Sequence, residues 1–280
     1  MTINRLMSRR LPAAWLLAAA LTTAAAPAQA HDSWFALLTQ GRAGTLLALG
    51  TGNRFPVFEF GIEARYLVKP GCRDGAGAPL ALEALRDGPA ALWLRSSADA
   101  SSCWAQLSPF EVDLPNDKIA LYIDEVRPPP AMLAAWEAMR ARGLPWHERY
   151  TKHARVALPA ADGSFGAAAA MPAPMGMDLL LEREGGELRF QLLRDGQPLP
   201  GLALELQSAD SQTPGRWLRS DAQGRLKIAT PGAGRWLLRG IDLRLAIEQP
   251  NQPNQPTQPN QPNQPERFDS RFITLAFELR

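Results

Sequence analysis

Apolar and polar residues alternate along several segments in the second half of the chain. Residues 187–192, 202–207 and 273–279 each place apolar side chains at every second position. Because successive side chains of a strand point to opposite faces, this alternation predicts β-strands with one buried face. Turn-forming pairs such as Asp195-Gly196 separate such segments at roughly ten-residue spacing, which is typical of a β-sandwich.

The first half of the chain shows shorter segments of the same kind. Residues 118–124 alternate in this way and end before three consecutive prolines, so we predict a strand there. Residues 131–142 instead combine strong helix formers, and Gly143 follows where a helix commonly ends. The predicted fold class is therefore mainly β, with two immunoglobulin-like β-sandwich domains and one helix near residues 131–142.

Two further segments lack this patterning. Residues 159–177 are rich in Gly, Pro and Ala, and we predict a linker there between an N-terminal domain of residues 31–158 and a C-terminal immunoglobulin-like domain of residues 178–280. Residues 249–265 repeat Gln-Pro-Asn/Thr, which favours extended polyproline II and predicts a disordered loop. This loop is either a partner-docking or wall-spanning tract, or a repeat expansion tolerated because longer loops cost little extra entropy.

Residues 1–30 have the order of regions found in a secretory signal peptide. Three arginines precede the apolar run of residues 11–21, and Ala28-Gln29-Ala30 supplies the small residues of a cleavage site. We expect cleavage after Ala30, export to the periplasm, and a mature protein that does not span the membrane. The adjacent Arg9-Arg10 leaves both the general and the twin-arginine export routes open.

Cys72 and Cys103 are the only cysteines of the chain. An oxidising compartment favours a disulfide between them, whereas a redox pair usually has the closer spacing Cys-x-x-Cys. We therefore predict a structural disulfide. In the chain-entropy model it contributes about 3.5–4 kcal/mol to stability.

Charge and motifs exclude several classes of function. Thirty basic against 28 acidic residues give a balance that does not suit an electrostatic nucleic-acid binder. The sequence contains no nucleophile elbow, zinc-protease motif or phosphate-binding glycine loop, and its carboxylates are scattered. We therefore predict a protein that is not an enzyme.

Six short motifs stand out, at residues 194–201, 220–225 and 231–236 in the C-terminal part and at residues 31–35, 50–56 and 148–154 in the N-terminal part. Together they resemble those of a family of periplasmic proteins. Members of this family share a domain without an assigned function and are often found beside nickel or cobalt uptake components. The resemblance implies a C-terminal sandwich of the carboxypeptidase-regulatory type, a role accessory to metal uptake, and an inner-membrane permease as partner.

The mature N-terminus is the strongest candidate for chemistry. After cleavage, His31 presents an α-amine and an imidazole that chelate a divalent transition metal together, and Asp32 adds a carboxylate. His147 and His153 share one face if their segment is extended, so either is a candidate third ligand. Amine and imidazole nitrogens suit nickel, cobalt and copper alike. We therefore predict a periplasmic metal-binding protein for uptake or buffering.

A second class of function stays open on the sequence alone. A metal-free envelope module for adhesion, or for binding carbohydrate or protein, also fits two exported β-sandwiches. The pairs Arg216-Trp217 and Arg235-Trp236 could stack on sugars, although such residues more often pack across the sheet.

Overall fold

The structure is a computed structural model, and it describes residues 31–210, 214–247 and 266–280. The predicted signal peptide and the proline repeat lie outside the described residues. The fold is mainly β, as predicted. In chain order, the described elements are β1 (Asp32–Gly41), β2 (Gly44–Gly52), β3 (Phe60–Gly61), β4 (Leu67–Asp74), β5 (Pro79–Leu80), β6 (Glu83–Arg86), β7 (Leu92–Ser96), β8 (Ala100–Leu107), β9 (Phe110–Leu114), α1 (Asn116–Val126), α2 (Pro130–Ala141), β10 (Trp146–Ala157), β11 (Met177–Glu184), β12 (Glu187–Arg194), β13 (Gln197–Pro198), β14 (Ala203–Ser208), β15 (Arg216–Arg219), β16 (Arg225–Ala229), β17 (Gly234–Ile247) and β18 (Glu266–Leu279).

A large sheet forms the centre of the molecule, with the strand order β15-β14-β17-β18-β10-β8-β4-β5 and β9 beside β10. A smaller sheet of β1, β2, β7, β6 and β3 packs on one face of it, and α1 and α2 pack on the same face. A third sheet of β11, β12, β13 and β16 packs on the opposite face. The hydrophobic core therefore lies on both faces of the large sheet.

The large sheet contains strands from both predicted domains. β10 and β18 pair in parallel, from Glu148 opposite Phe268 to Ala157 opposite Phe277. The alternation along each strand predicts that a strand forms but does not identify its partner. Residues 31–158 and 178–280 are thus joined by a continuous hydrogen-bonded ladder.

The predicted strand at residues 118–124 is wrong, because these residues belong to α1. Ile119, Tyr122 and Val126 are buried at spacings of three and four residues, whereas Leu121 is 44% exposed. Over so few residues the pattern fits both periods, and packing against β17 and β18 selects the helical one.

The helix predicted at residues 131–142 is confirmed as α2, with Trp136 and Met139 buried beneath it. Gly143 follows with a φ of +74°, a conformation that glycine adopts without strain. The described residues therefore contain a second helix, α1, in addition to the predicted one.

The predicted disulfide is confirmed. Cys72 on β4 lies opposite Cys103 on β8, and the two sulfurs are bonded. Both residues are fully buried in the core between the large sheet and the smaller sheet. The bond therefore joins neighbouring strands within the core.

Arg155 holds the segment predicted as a linker against the large sheet. Its Nη1 lies 2.7 Å from Asp178 Oδ2, and its Nη2 donates to the carbonyls of Ala168 at 2.7 Å and Met171 at 2.9 Å. Arg155 has no exposed surface. Residues 159–177 therefore cover part of the sheet, although they lack the periodicity of a strand.

No helix among the described residues is both long and apolar enough to cross a membrane.

Candidate functional site

His31 lies directly before β1, beside the loop that follows β2. Its Nε2 is 3.5 Å from Glu59 Oε2, and its ring contacts Phe60 edge-on with the ring centres 5.2 Å apart. Asn53 fixes the Glu59 carboxylate through its backbone N–H at 3.1 Å and its Nδ2 at 2.8 Å. A positioned carboxylate therefore faces one nitrogen of the imidazole.

Asp32 is buried and paired within the protein. Its Oδ2 lies 2.6 Å from Nε of Arg239, whose Nη1 donates to Glu205 Oε2 at 3.2 Å. Desolvation raises the pKa of Asp32 above its ordinary value, against the opposing effect of Arg239. The Asp32 carboxylate, predicted as a metal ligand, is thus engaged with Arg239.

Lys152 lies beside this ion pair in the same interior. It is 9% exposed, and burial lowers its pKa to about 8, with the Asp32 charge acting in the opposite direction. The interior between the large sheet and β1 therefore contains a group of buried charges. The sequence pattern did not predict this group, because its members are spread over four strands.

The two other histidines lie on β10, in different surroundings. His147 is half-exposed, and its Nδ1 is 2.6 Å from Asp113 Oδ1 on β9. His153 is buried, and its Nδ1 is 3.0 Å from the carbonyl oxygen of Phe272. Desolvation lowers the pKa of His153 to about 4, so this imidazole is neutral near pH 7. An Nδ1 proton donated to that carbonyl leaves Nε2 as an acceptor.

The structure does not bring the four predicted ligands together. His147 and His153 do share one face of β10, but six residues of strand separate them by about 20 Å. That face is turned away from β1, because Thr274, which pairs with Ala154, donates to the carbonyl of Ser33 at 2.6 Å on the other face. Among the described residues, no group of three or more His, Cys, Asp or Glu side chains could hold a metal ion.

Glu148 forms a buried network that the sequence also did not predict. Its carboxylate accepts hydrogen bonds from Tyr122 at 2.6 Å, from Trp146 at 2.9 Å and from Ser270. Burial raises the pKa of Glu148, and these hydrogen bonds oppose that shift. Because its donors come from α1, β10 and β18, the carboxylate fastens the helix to the sheet.

A polar cavity of about 360 Å³ lies on the face of the large sheet that carries His153. Residues of the predicted linker form one side of it. The sequence did not predict this site, because its lining comes from segments far apart in the chain. Its polar residues are Lys69, Gln106, Thr151, His153, Asp195 and Arg271.

Comparison with protein families, curated proteins and solved structures finds no match to this chain. The family resemblance described above therefore rests on its motifs alone.

Proposed function

We propose that the protein, after cleavage behind Ala30, is a periplasmic binder of one divalent transition metal held by its N-terminal residue. The observation that supports this proposal is the 3.5 Å approach of His31 Nε2 to the oriented carboxylate of Glu59. In the metal-bound form, a small approach of Glu59 would let it accept the Nε2 proton, which would fix the ring orientation and leave the other nitrogen, Nδ1, as the metal ligand. Nδ1 is the nitrogen that closes a chelate ring with the α-amine.

The ligands that complete the coordination of the metal would not come from His31. Asp32 is engaged with Arg239, and the sheet separates His147 and His153 from β1. A site with two protein nitrogens leaves positions open for water or for a ligand from a partner. Such a site suits delivery or buffering of nickel, cobalt or copper, with an inner-membrane permease as the recipient. The likeness of residues 178–280 to the carboxypeptidase-regulatory sandwich is part of the same proposal.

Trp217 bears on the alternative, a metal-free module that binds carbohydrate or protein. The guanidinium of Arg127 covers its ring at 4.0 Å from the centre. Trp236 donates its indole N–H to the carbonyl of Gly232 at 3.1 Å. Because Arg127 occupies one face of Trp217, these contacts favour a packing role for the tryptophans over sugar stacking.

The test is calorimetric titration of Ni(II) and Cu(II) into two forms of the protein. One form is processed so that it begins at His31, and the other carries an extra residue before His31, which converts the amine to an amide. We expect binding at one site in the processed form and its loss in the extended form, with the melting temperature unchanged.

Two variants of the processed form refine this test. Glu59→Gln should weaken binding by about 10- to 100-fold, the usual effect of removing a carboxylate that orients a ligating histidine. His147→Ala is the matched control and should bind as the parent does. Equal affinity in the processed and extended forms would exclude the N-terminal chelate. Absence of binding in every form would leave the metal-free module as the better account.

A further inference from the structure

The polar cavity on the outer face of the large sheet has the size of a small-molecule site. Its volume of about 360 Å³ falls within the range of roughly 300–1,000 Å³ that such sites occupy. It lies over β4, β8, β10 and β18, and is bounded by residues 174–176 and by the turn at Asp195. Its walls are therefore formed by strands of the large sheet and by part of the segment 159–177, which Arg155 holds against that sheet.

Arg271 supplies a fixed cation at this cavity. Its Nη1 donates to the carbonyl of Gly176 at 2.8 Å and to Asp195 Oδ1 at 2.7 Å. Its hydrogen bonds to described residues all leave from Nη1, so one edge of the guanidinium is anchored. A guanidinium held by one edge can present the other to a carboxylate.

Lys69 and Asp195 line the cavity and both have left-handed backbone. Both have a φ of +50°, and only Arg127 joins them as a non-glycine residue with positive φ in the described part of the chain. Trp104 holds the Lys69 backbone by donating its indole N–H to the Lys69 carbonyl at 3.0 Å. Asp195 has this φ because Asp195-Gly196 forms the two-residue turn between β12 and β13, whereas Lys69 lies inside β4 at a register shift. The Lys69 conformation is therefore the costly one, and such conformations concentrate at functional sites.

His153 contributes an acceptor. With its Nδ1 directed to the Phe272 carbonyl, its Nε2 lies against Gly176. A β-carbon placed at Gly176 would be 3.1 Å from Nε2 and 3.2 Å from Arg271 Nη1. Glycine at this position therefore lets the backbone approach both groups closely. Burial keeps His153 neutral near pH 7 by lowering its pKa to about 4, which preserves the acceptor.

The charge around the cavity is positive. Its lining holds two cations, Lys69 and Arg271, and one carboxylate, Asp195, which also lies 3.7 Å from Arg194 Nε. Burial first, and then the charges of Arg271 and Arg244, lower the pKa of Arg194 to about 10. The cavity therefore favours an anionic ligand.

We propose that this cavity binds a small hydroxycarboxylate, with its carboxylate on Arg271 and Lys69 and its hydroxyl donating to His153 Nε2. The two cations select a carboxylate, and the neutral imidazole acceptor selects a ligand that also carries a donor. Thr151 and Gln106 supply further polar contacts at the wall, where Gln106 Oε1 already accepts from the Gly176 N–H at 3.0 Å.

The test uses L-malate, succinate and inorganic phosphate as probes in calorimetric titrations without transition metal. The protein carries the extra residue before His31, so the outcome is independent of the proposed metal chelate. We expect malate to bind about tenfold more tightly than succinate, which lacks the hydroxyl, and more tightly than phosphate. A tenfold change equals about 1.4 kcal/mol, the size of one hydrogen bond to a buried acceptor.

Two variants and one control variant locate the ligand. Lys69→Gly removes the charge while accepting the positive φ, and Gly176→Ala narrows the cavity without changing any charge; each should weaken malate binding about tenfold or more. Lys227→Gln on the third sheet is the control and should bind as the parent does. Absence of malate binding in the parent, or a malate affinity in Lys69→Gly and Gly176→Ala that equals that of the parent, would overturn the proposal. Equal affinity for malate and succinate would overturn the role of His153.

Discussion

Asp32 Oδ2 lies 2.6 Å from Nε of Arg239, which joins the first residue of β1 to the interior of the large sheet. Arg239 is 7% exposed and also donates to Glu205, so one guanidinium connects β1, β17 and β14. Asp32 Oδ1 and Arg239 Nη2 are buried without a hydrogen-bond partner among the described residues. Removing Asp32 leaves the desolvated Arg239 with Glu205 as its remaining carboxylate partner, and removing Arg239 leaves the carboxylates of Asp32 and Glu205 buried without it.

Asp32→Ala should therefore lower the free energy of unfolding by about 3–5 kcal/mol, the usual cost of breaking a buried ion pair. Urea denaturation followed by tryptophan fluorescence measures this. Glu137→Ala is the control, because Glu137 pairs with Arg140 on the exposed side of α2, and it should cost less than about 1 kcal/mol. Similar losses in the two variants would show that the Asp32 pair is not a structural anchor.

Asp178→Ala should release residues 159–177 from the sheet. Asp178 accepts from both Arg155 and the N–H of Ala173 at 2.7 Å, so its loss frees the segment and leaves Arg155 buried and unpaired. We expect limited proteolysis to cut within 159–177 at a lower protease concentration than in the parent. Asp162→Ala is the control in the same segment, since Asp162 bonds locally to Ser164, and its digestion pattern should match the parent.

The lowered pKa of Lys152 predicts that the folded protein becomes more stable at alkaline pH. This pKa falls from an ordinary value of 10.5 to about 8 in the folded state, so between these values the unfolded chain binds more protons than the folded one. The free energy of unfolding should therefore increase as pH rises from 8 to 10.5, by about 3 kcal/mol at most. Below pH 8 this gain is absent, because the lysine is charged in both states.

Denaturation series at several pH values measure this increase. Lys152→Met should lack this component of the rise. Lys118→Met, at a lysine on α1 whose side chain is 37% exposed, should keep the slope of the parent. Parallel pH profiles for the parent and Lys152→Met would contradict the prediction.

Replacing residues 248–265 by Asn-Gly should leave the melting temperature within a few degrees of the parent. β17 and β18 pair up to Ile247 opposite Glu266, and a two-residue turn connects residues that face each other in this way. The prediction treats the proline repeat as a tolerated expansion. Loss of a single cooperative transition in calorimetry would instead show that the repeat supports the fold.

Local patterns predicted much of the fold. Strict alternation located β12 and β18, and helix formers ending before Gly143 located α2. α1 was missed because its short apolar pattern fits two periods, and only packing distinguishes them. The parallel pairing of β10 with β18 could not be predicted, because alternation reveals which face is buried but not which strand lies alongside.

The candidate site was predicted less completely, for a related reason. The spacing of His147 and His153 correctly placed them on one face of a strand. Six residues of extended strand, however, put the two imidazoles about 20 Å apart, which is too far for both to bind one metal ion. The cavity depends on Lys69, His153 and Arg271, which lie on three strands and meet only once the large sheet has formed. No local pattern in the sequence predicts that these three residues lie close together.

The pairing of β10 with β18 also sets an order of events during synthesis. His153 and Phe272, neighbours in the sheet, are 119 residues apart in the chain. At about 5–20 residues per second, β10 waits roughly 6–24 seconds for this partner to emerge. One edge of β10 stays open for that time, and an open edge can recruit strands from other chains. Chains ending at residue 247 should therefore aggregate more readily than full-length chains.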